Sequence, residues 1–401
     1  MVKMINKGKK PKPRVLVCCG DMVFKGGLER MTFEVMRALK EKGAIIHCIV
    51  NSWENHVIIE SINELGLPYS LGYNKAELTR RPRNILIAMH MFFDVIINSI
   101  LLLLVSLKFR PTHILIPEYI SLLRNMPGII ILRIFKARIV VRIANPPVYG
   151  GSKFYTKLWQ FMVNPFVDRY LSNSEYTKNA VLKMGIKEDK VKRIYNCVPK
   201  RKSIVLTPAK KDFNKIIFVG QIIPEKGLDL LFDAVILLKE QGLNVTLDII
   251  GQMEGWVSPS YVGYREDLLK RAAEPYLKDI VRFLGWQEDV QSFLMQSAIH
   301  CCPSRYEQHE GFGIVCIEAK NAGIPSVVTP SGALPELISH KQDGWLCIDF
   351  SASEIANGLK YFLEDKERLI EAGRQAKLSL SRFSYEKFAE EHQREFELED
   401  K

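Results

Sequence analysis

Two glutamates eight residues apart, Glu310 and Glu318, are the first candidates for chemistry in this sequence. They lie in the window Pro303-Ser-Arg-Tyr-Glu-Gln-His-Glu-Gly-Phe-Gly-Ile-Val-Cys-Ile-Glu, which predicts a strand end, a glycine-bearing loop and a helix beginning near Gly313. A carboxylate in such a place can accept two hydrogen bonds from the vicinal hydroxyls of a ribose or another sugar. Backbone N–H groups at the helix start would bind an anion such as a diphosphate. Taken alone, the window fits equally well a solvated helix start, where acidic residues are also favourable.

A lysine, Lys226, is the second candidate, in the window Phe218-Val-Gly220-Gln-Ile-Ile-Pro-Glu-Lys226-Gly227. The pattern predicts a strand-to-helix turn, which is where parallel sheets usually bind phosphate. Lys226 could reach a phosphate as a point charge, although a plain surface lysine is common at such a position. The motifs GxGxxG and GxxxxGK[ST] do not occur, which disfavours dinucleotide oxidoreductases and P-loop NTPases.

The elements that must position these residues repeat one pattern twice. Apolar, β-branched runs alternate with helix-length segments, which predicts parallel α/β sheets of the doubly wound type. The predicted strands are residues 14–19, 45–50, 113–116, 137–143 and 169–172, then 215–220, 245–251, 281–284, 298–303, 326–329 and 344–348. A basic stretch bracketed by prolines, residues 199–208, is the predicted linker. We therefore predict a first domain over 1–205 and a second over 206–383, with a charged C-terminal helix at about 384–399.

The composition is that of an ordinary globular chain. The 401 residues are 47% hydrophobic and 25% charged, too many for one compact core, and they exclude a largely disordered or polytopic membrane protein. The eight cysteines form no CxxC pair. They predict reduced packing thiols in a cytoplasmic chain, and no zinc site.

The charge is divided unevenly between the two halves. Residues 1–205 contain 34 lysines and arginines against 14 aspartates and glutamates, a net charge of +20, whereas residues 206–401 contain 22 against 31, a net charge of −9. A basic half predicts a surface that attracts anions: nucleic acid, anionic lipid or a phosphorylated substrate. Charge that merely keeps the chain soluble is the alternative.

One segment of the basic half is strongly apolar. Residues 85–107 are interrupted by His90, Asp94 and Asn98, and the run 95–107, which has no charged residue, is 13 residues long. A spanning helix needs about 20 apolar residues. The pattern therefore favours a buried helix, or one resting on a membrane surface, over a true span.

Together the two windows resemble the retaining glycosyltransferases of the group 1 type (family 4), two-domain enzymes of the GT-B fold. Glu310 and Glu318 match the E-x7-E pair of that family, and Gly220 to Gly227 match its G-R-x-x-x-x-K-G turn. Further segments resemble the family in order along the chain: 26–30, 170–178, 283–290, 322–325, 332–336 and 343–346. The resemblance implies two Rossmann-like domains facing a cleft, with the C-terminal helix (384–401) crossing back to the first domain.

The resemblance also implies roles for individual residues. Glu318 would bind the ribose of a nucleotide-sugar donor, and Glu310 would bind hydroxyls of the transferred sugar. The backbone amides of Gly313 and Ile314, with Lys226, would stabilise the departing diphosphate. The remaining donor-site residues would be Gly26 and Gly27 from the first domain, Gly220, Gln221 and Phe312 from the second, and Arg282 and Phe283 beside the base.

This sequence departs from the family at two positions. Gln221 stands where the family usually has an arginine, and Arg305 is the candidate substitute for that cation. In the stretch Arg142-Ile-Ala-Asn145-Pro-Pro147 there is no histidine, although many relatives have one near the sugar. Asn145 would then take that place in catalysis by hydrogen bonding.

The mechanism implied by the resemblance is a front-face transfer. Breaking the sugar–phosphate bond concentrates negative charge on the diphosphate, and fixed donors aimed at it lower the barrier. The leaving phosphate helps to deprotonate the acceptor, so no protein nucleophile is named. No DxD sequence occurs, so we expect no metal and no cofactor other than the donor itself, and GT-A enzymes are disfavoured.

The resulting hypothesis is transfer of a sugar, with UDP as the favoured nucleotide, to a glycan or lipid-diphosphate acceptor in surface polysaccharide synthesis. The basic domain would attach peripherally to an anionic membrane surface, at the inner face of the plasma membrane. Other GT-B chemistry remains as an alternative: a nucleotide-sugar 2-epimerase, disfavoured by the missing histidine, or a sucrose- or trehalose-type synthase. A non-catalytic GT-B relic that binds nucleic acid is a third, but no binding motif supports it and nucleic acid is not an expected partner.

Overall fold

The computed structural model describes residues 12–22, 26–53, 55–75, 84–146, 156–157, 159–200, 211–252, 261–306 and 310–397. It contains two compact units. Unit 1 comprises the residues up to Asn173, Lys178–Ile194 and the residues from Glu386 onward, and unit 2 comprises Ser174–Thr177 and Tyr195–Tyr385. Most of the predicted linker, residues 201–208, lies outside the described residues, so its position stays a prediction.

The described part of unit 1 contains a sheet of seven strands, all parallel, in the order β3-β2-β1-β4-β5-β6-β7. They are β1 Arg14–Cys19, β2 Ile45–Val50, β3 Tyr69–Leu71, β4 His113–Ile116, β5 Arg138–Ile143, β6 Arg169–Ser172 and β7 Val191–Arg193. The central strands β1, β4 and β5 are buried almost throughout, as continuous apolar runs must be when helices cover both faces. The strand order reverses between β1 and β4.

The helices of unit 1 alternate with these strands. They are α1 Gly27–Glu41, α2 His56–Glu64, α3 Ile85–Phe109, α4 Tyr119–Arg124, α5 Met126–Ile134 and α6 Glu175–Lys183. Helix α1 begins directly at the glycine pair, and the Glu29 carboxylate accepts a hydrogen bond from the Gly26 N–H at 3.1 Å. This capping interaction fixes the start of α1 close to the end of β1.

Unit 2 contains, in its described residues, a second parallel sheet with six strands in the order β10-β9-β8-β11-β12-β13. The strands are β8 Lys215–Val219, β9 Thr246–Ile250, β10 Val281–Gly285, β11 Ile299–Cys302, β12 Ser326–Val328 and β13 Gly344–Leu346. Its helices are α7 Leu228–Glu240, α8 Tyr264–Ala272, α9 Val290–Gln296, α10 Ile314–Ala322, α11 Leu334–Leu337, α12 Ala352–Leu363 and α13 Lys366–Leu378. The order reverses between β8 and β11, so ligands are expected at the carboxyl ends of those two strands.

The last helix, α14 Tyr385–Glu395, packs in unit 1 from Glu386 onward. The Gln393 side-chain amide donates to the Ala38 carbonyl at 2.8 Å, and the Phe396 ring lies 5.3 Å from the His113 ring. The predicted return of the C-terminal helix to the first domain is therefore confirmed. The helix is shorter than predicted, and residues 398–401 lie outside the described part.

Every strand predicted from the sequence is present, with ends that differ by at most two residues. Strands β3 and β7 were not predicted. Each is three residues long and lies at an edge of the sheet, where a run is too short to show periodicity. The α/β, doubly wound prediction is confirmed in both units.

The sequence left two alternatives for helix α3, a buried helix or one resting on a membrane surface, and the structure contradicts the first. It is 25 residues long and, by length and composition alone, could cross a membrane, yet only 22% of its most apolar 18-residue window is buried. The buried-helix alternative is therefore wrong. Its buried side chains include Asp94, Asn98, Ser99 and Ser106, while nine of its large apolar side chains are exposed.

Candidate functional site

The switch point of unit 2 brings the two sequence windows together. The turn after β8 carries Lys226, and the loop after β11 carries Glu310. Gly227 has a φ of +64°, and a Cβ atom there would lie 2.0 Å from the Pro303 carbonyl oxygen. Glycine is therefore required at this position, because any side chain would push the β8 turn away from the end of β11.

This close approach puts Lys226 in direct contact with Glu310. The Lys226 ammonium donates a hydrogen bond to Glu310 Oε1, and the Ser304 hydroxyl donates to the same oxygen at 2.9 Å. Glu310 is buried, whereas the Lys226 side chain keeps 23% of its exposure. Burial alone would lower the pKa of Lys226, but the adjacent Glu310 carboxylate raises it above its ordinary value. Lys226 is thus held as a cation that a ligand can still reach.

The backbone of Glu310 is held by the loop that follows β12. The Ala333 N–H donates to the Glu310 carbonyl at 2.8 Å, and the Ser331 hydroxyl donates to the Tyr306 carbonyl at 2.7 Å. Gly332 has a φ of +54°, and a Cβ atom there would lie 2.0 Å from the Glu310 carbonyl oxygen. Two neighbouring loops therefore fix where the Glu310 carboxylate sits.

Helix α10 begins four residues after Glu310. Gly313 forms its N-cap with a φ of +86°, Ile314 is its first residue, and Glu318 lies just over one turn further on, 1% exposed. The first N–H groups of a helix have no intrahelical acceptor, so they are available to an anion. The structure therefore places a cation, a buried carboxylate and a helix N-terminus at one switch point.

Phe312, a predicted donor-site residue, lies in an aromatic cluster of unit 2. Its ring is buried, 5.9 Å from the rings of both Tyr195 and Phe383. A side chain packed in this aromatic core fixes the loop between β11 and α10 to the interior of unit 2. The ring therefore belongs to the packing beneath the loop, and the binding of a donor by Phe312 stays a prediction.

Arg305 and Gln221 were predicted beside the phosphates. The Arg305 guanidinium pairs with Asp229 in the first turn of α7, and its backbone N–H donates to the Glu225 carbonyl at 2.7 Å. Its Nε is buried without a hydrogen-bond partner among the described residues. Gln221 is exposed at the start of the turn. Arg305 therefore lies at the expected turn, but Asp229 balances its charge, and this weakens it as a substitute for the family's arginine.

Arg282 and Phe283 lie on β10, where the base was expected. The Arg282 guanidinium bonds to the buried Asp248 of β9 at 2.6 and 2.7 Å, and Arg282 is only the second residue of its strand. Phe283 is partly buried, 6.4 Å from the Phe232 ring. Arg282 is thus engaged within the sheet, and the carboxyl end of β10 lies beyond it at Gly285.

Three predicted site residues belong to unit 1. Gly26 and Gly27 lie at the start of α1, and Gly26 has an ordinary extended conformation with a φ of −86°. Asn145 is exposed, two residues after β5. The role of each toward a ligand stays a prediction.

A carboxylate cluster in unit 1 escaped the sequence analysis. Asp21 follows β1 and accepts hydrogen bonds from Ser121 and Arg124, both at 2.6 Å. Glu118 follows β4, and burial, with the negative charges of Asp21 and Glu29, raises its pKa to about 8. The available signal was positional, since both acids come two residues after strands that flank the switch point of the first sheet.

Ser304 was also missed, although it lies inside the first window. Its hydroxyl contacts Glu310 because it follows β11 by two residues, a position that no residue-type pattern marks. Within the described ranges, no group of three or more histidines, cysteines or acidic residues could hold a metal ion. The expected independence of metal stays a prediction.

Two family models match consecutive parts of this chain. "Glycosyl transferases group 1" matches residues 200–378, and "Glycosyltransferase Family 4" matches residues 25–202. The chain belongs to the group 1 glycosyltransferases of the GT-B fold, and the predicted family is confirmed.

Individual relatives agree with this assignment. An uncharacterized glycosyltransferase of Haemophilus influenzae is 25% identical, over 91% of this chain and 95% of the relative. The lipopolysaccharide core biosynthesis mannosyltransferase LpsB of Rhizobium meliloti is 26% identical, over 48% of this chain and 53% of its own. The structure of Anabaena HepE in complex with UDP has a TM-score of 0.72 at 18% identity, covering 94% of this chain and 98% of that one.

Proposed function

We propose that this protein is a retaining glycosyltransferase that transfers a sugar from a nucleotide-sugar donor, with UDP as the nucleotide, to a glycan or lipid-linked acceptor in surface polysaccharide synthesis. The observation that carries the proposal is the contact between Lys226 and Glu310 beside the N-terminus of α10. The UDP in the HepE structure and the lipopolysaccharide core role in the name of LpsB agree with it.

The proposed donor site uses each group for one part of the nucleotide sugar. The buried Glu318 carboxylate accepts two hydrogen bonds from the ribose hydroxyls, and Glu310 accepts from hydroxyls of the transferred sugar. Lys226 and the amides of Gly313 and Ile314 face the diphosphate. These donors are fixed before the reaction, so they bind the extra charge of the transition state without reorganisation.

The proposed transfer occurs on one face of the sugar. The bond from the anomeric carbon to the diphosphate oxygen breaks, and its electron pair stays on the diphosphate. An acceptor hydroxyl oxygen bonds to the same carbon from the same side, and its proton passes to a phosphate oxygen of the leaving group. Lys226 acts by stabilising that leaving group, which is an interaction stronger in the transition state than in the ground state.

The proposal requires no metal ion and no cofactor besides the donor, since the Lys226 ammonium and the α10 amides supply the positive charge. We further propose that the protein works at the inner, cytoplasmic face of the plasma membrane. The net charge of +20 on residues 1–205 supports this location, because anionic headgroups attract basic surfaces.

The first experiment is thermal unfolding with UDP, GDP, ADP or NAD, without metal, on the wild type, Glu318→Ala and the control Glu240→Ala. Glu240 is an exposed residue at the end of α7 in the same unit. A ligand at 100 times its Kd stabilises by about 2.7 kcal/mol. We expect UDP to raise the Tm of the wild type and the control but not of Glu318→Ala. A shift with NAD alone, or with none of the four, would contradict the proposal.

The stereochemistry needs a separate measurement. With a UDP-sugar that is accepted as donor, NMR of the anomeric proton of the first product reports its configuration. Retention of the donor's configuration is expected. Inversion would leave the donor site intact and reject the front-face mechanism.

A further inference from the structure

Helix α3 is built with its polar side inward. Asp94 is fully buried, and Asn98, Ser99 and Ser106 are at most 5% exposed. In a helix on the surface of a water-soluble domain the arrangement is normally reversed, with apolar side chains facing the core. The side of α3 that faces away from the domain therefore requires an explanation.

The polar side is firmly attached to the rest of unit 1. Asp94 pairs with Arg124 of α4 and accepts the Lys75 N–H at 2.7 Å. Asn98 accepts the Tyr73 N–H at 2.9 Å. These contacts pair the buried side chains of Asp94 and Asn98 and fix the rotation of α3 about its axis.

The opposite side of α3, here called the outer face, is a continuous apolar stripe. Its exposed side chains recur at helical spacing and are 48–73% exposed: Ile85, Leu86, Met89, Phe92, Phe93, Ile100, Leu104 and Leu107. The neighbouring α5 packs closely, since a Cβ on Gly128 would lie 3.0 Å from the Ser99 carbonyl oxygen. Phe135, just after α5, adds a ring that is 66% exposed. An exposed apolar surface of this kind marks an interaction site.

Charge identifies the partner. Exposed cations lie near the C-terminal ends of both helices, with Lys108 and Arg110 ending α3 and Lys136 following α5. The sequence places three more arginines, Arg80, Arg81 and Arg83, within the five residues ahead of α3. An apolar stripe with exposed cations at its C-terminal end, in a segment that is basic by sequence, matches the hydrocarbon and the anionic headgroups of a bilayer surface.

We propose that the outer face of α3 inserts into the interfacial layer of an anionic membrane, with the helix axis parallel to the membrane plane. A transmembrane orientation would carry the Asp94–Arg124 pair and the backbone of residues 73–75 into hydrocarbon, where charged groups are strongly disfavoured. An interfacial orientation immerses the outer face and leaves those groups on the protein side. This inference deepens the membrane location in the proposed function and rests on it for the identity of the acceptor, but its geometry is independent of the donor site.

Liposome flotation tests the proposal directly. The full chain is floated with vesicles of phosphatidylcholine alone and with vesicles containing one quarter phosphatidylglycerol. The test variant is Phe93→Ser combined with Leu104→Ser. The control is Val262→Ser combined with Ile348→Ser, which removes two apolar side chains of unit 2 that are 78% and 83% exposed.

We expect the wild type and the control to float with anionic vesicles, and the Phe93/Leu104 variant to lose at least tenfold in the bound fraction. We also expect alkaline carbonate to release the protein from membranes, because an interfacial helix does not span them. Binding by the test variant equal to that of the wild type would overturn the proposal. Retention after carbonate would overturn the interfacial orientation in favour of a span.

A second copy of the chain is the competing partner. A dimer measured by light scattering that is lost in the Phe93/Leu104 variant, with no flotation of the wild type, would overturn the membrane assignment. The UDP-induced rise in Tm is measured on the same samples. If UDP still raises the Tm but the protein does not float, only the membrane inference is wrong. If the protein floats but UDP does not raise its Tm, only the donor proposal is wrong.

Discussion

Lys226 and Glu310 are 84 residues apart in the chain, and their side chains form an ion pair at the switch point of the second sheet. The pair exists because Gly227 allows the β8 turn to touch the end of β11. Glu310 is also bonded by Ser304, so its carboxylate has two donors before any ligand binds. The charge that would bind a diphosphate is thus organised in advance by backbone packing.

Removal of the lysine is expected to affect both activity and stability. Lys226→Ala should lower kcat by about 10²–10³-fold, as the loss of one preorganised donor typically does. It should also cost about 2 kcal/mol of unfolding free energy, because it leaves Glu310 buried without its cation, while the partial exposure of Lys226 limits the loss. Steady-state kinetics and urea unfolding measure the two effects.

The double variant Lys226→Ala/Glu310→Gln separates the effect on kcat from the effect on unfolding free energy. Without a buried charge the stability should recover, while activity stays at the level of Lys226→Ala or below. Recovery of activity together with stability would show that the pair is purely structural.

The glycine of the turn has its own prediction. Gly227→Ala should lose more than about 2 kcal/mol of unfolding free energy, because it combines a left-handed φ, worth about 1–2 kcal/mol, with a clash against the Pro303 carbonyl. The matched control is Gly242→Ala, which has a φ of +85° and no atom within 4 Å of the new Cβ. The control should lose only the unfolding free energy that the left-handed φ costs, because its new Cβ meets no atom. Equal losses, measured by urea unfolding, would contradict the close approach.

The missing family cation can be restored. Gln221 is exposed at the start of the phosphate turn, so Gln221→Arg should add a charge-assisted hydrogen bond and tighten UDP binding by about tenfold. Isothermal titration calorimetry measures the Kd. Gln342→Arg, also exposed and in the same unit, adds the same charge away from the turn and should leave the Kd unchanged. Equal tightening by both variants would indicate a long-range charge effect only.

The carboxylate cluster of unit 1 predicts a pH dependence of stability. Burial raises the pKa of Glu118 from 4.5 to about 8, so the folded protein binds more protons than the unfolded chain between these values. Its contribution to stability is therefore present at low pH and is lost as the pH rises from about 4.5 to 8. The Tm of Glu118→Gln should exceed that of the wild type by several degrees at pH 8 and by little at pH 5.

Glu60→Gln is the control for this measurement, since Glu60 is exposed on α2 of the same unit. Its difference from the wild type should be the same at both pH values. If the Tm of Glu118→Gln differed from that of the wild type by the same amount at pH 5 and pH 8, Glu118 would be ionised in the folded protein at neutral pH.

The strands were predictable because each central one is a short, apolar run that a sheet covered on both faces requires. Residues 113–116 and 169–172 were located to the residue in this way. The positions of Glu310, Glu318 and Lys226 followed from the same logic, since the ends of strands are local features of a sequence. What the family resemblance added was the role of each residue toward a donor.

Side-chain partners were less predictable, because they depend on residues distant in the sequence. Arg305 was predicted as a cation for the diphosphate and Arg282 as a neighbour of the base, but Asp229 and Asp248 pair with them in the folded unit. Phe312 was grouped with its loop, but its ring belongs to an aromatic core that includes Phe383. The orientation of α3 likewise depends on Arg124, a residue of another helix.

The position of α14 has a consequence for how the protein is made. The residues from Glu386 onward belong to unit 1, so all of unit 2 leaves the ribosome before α14 can pack against the first sheet and its helices. Until then, the surface around Ala38 and His113 lacks Gln393 and the Phe396 ring. The nascent first unit therefore waits for about 190 residues of intervening chain, at about 5–20 residues per second, with part of its core uncovered. Unit 2, whose segments are already complete, is free to fold first.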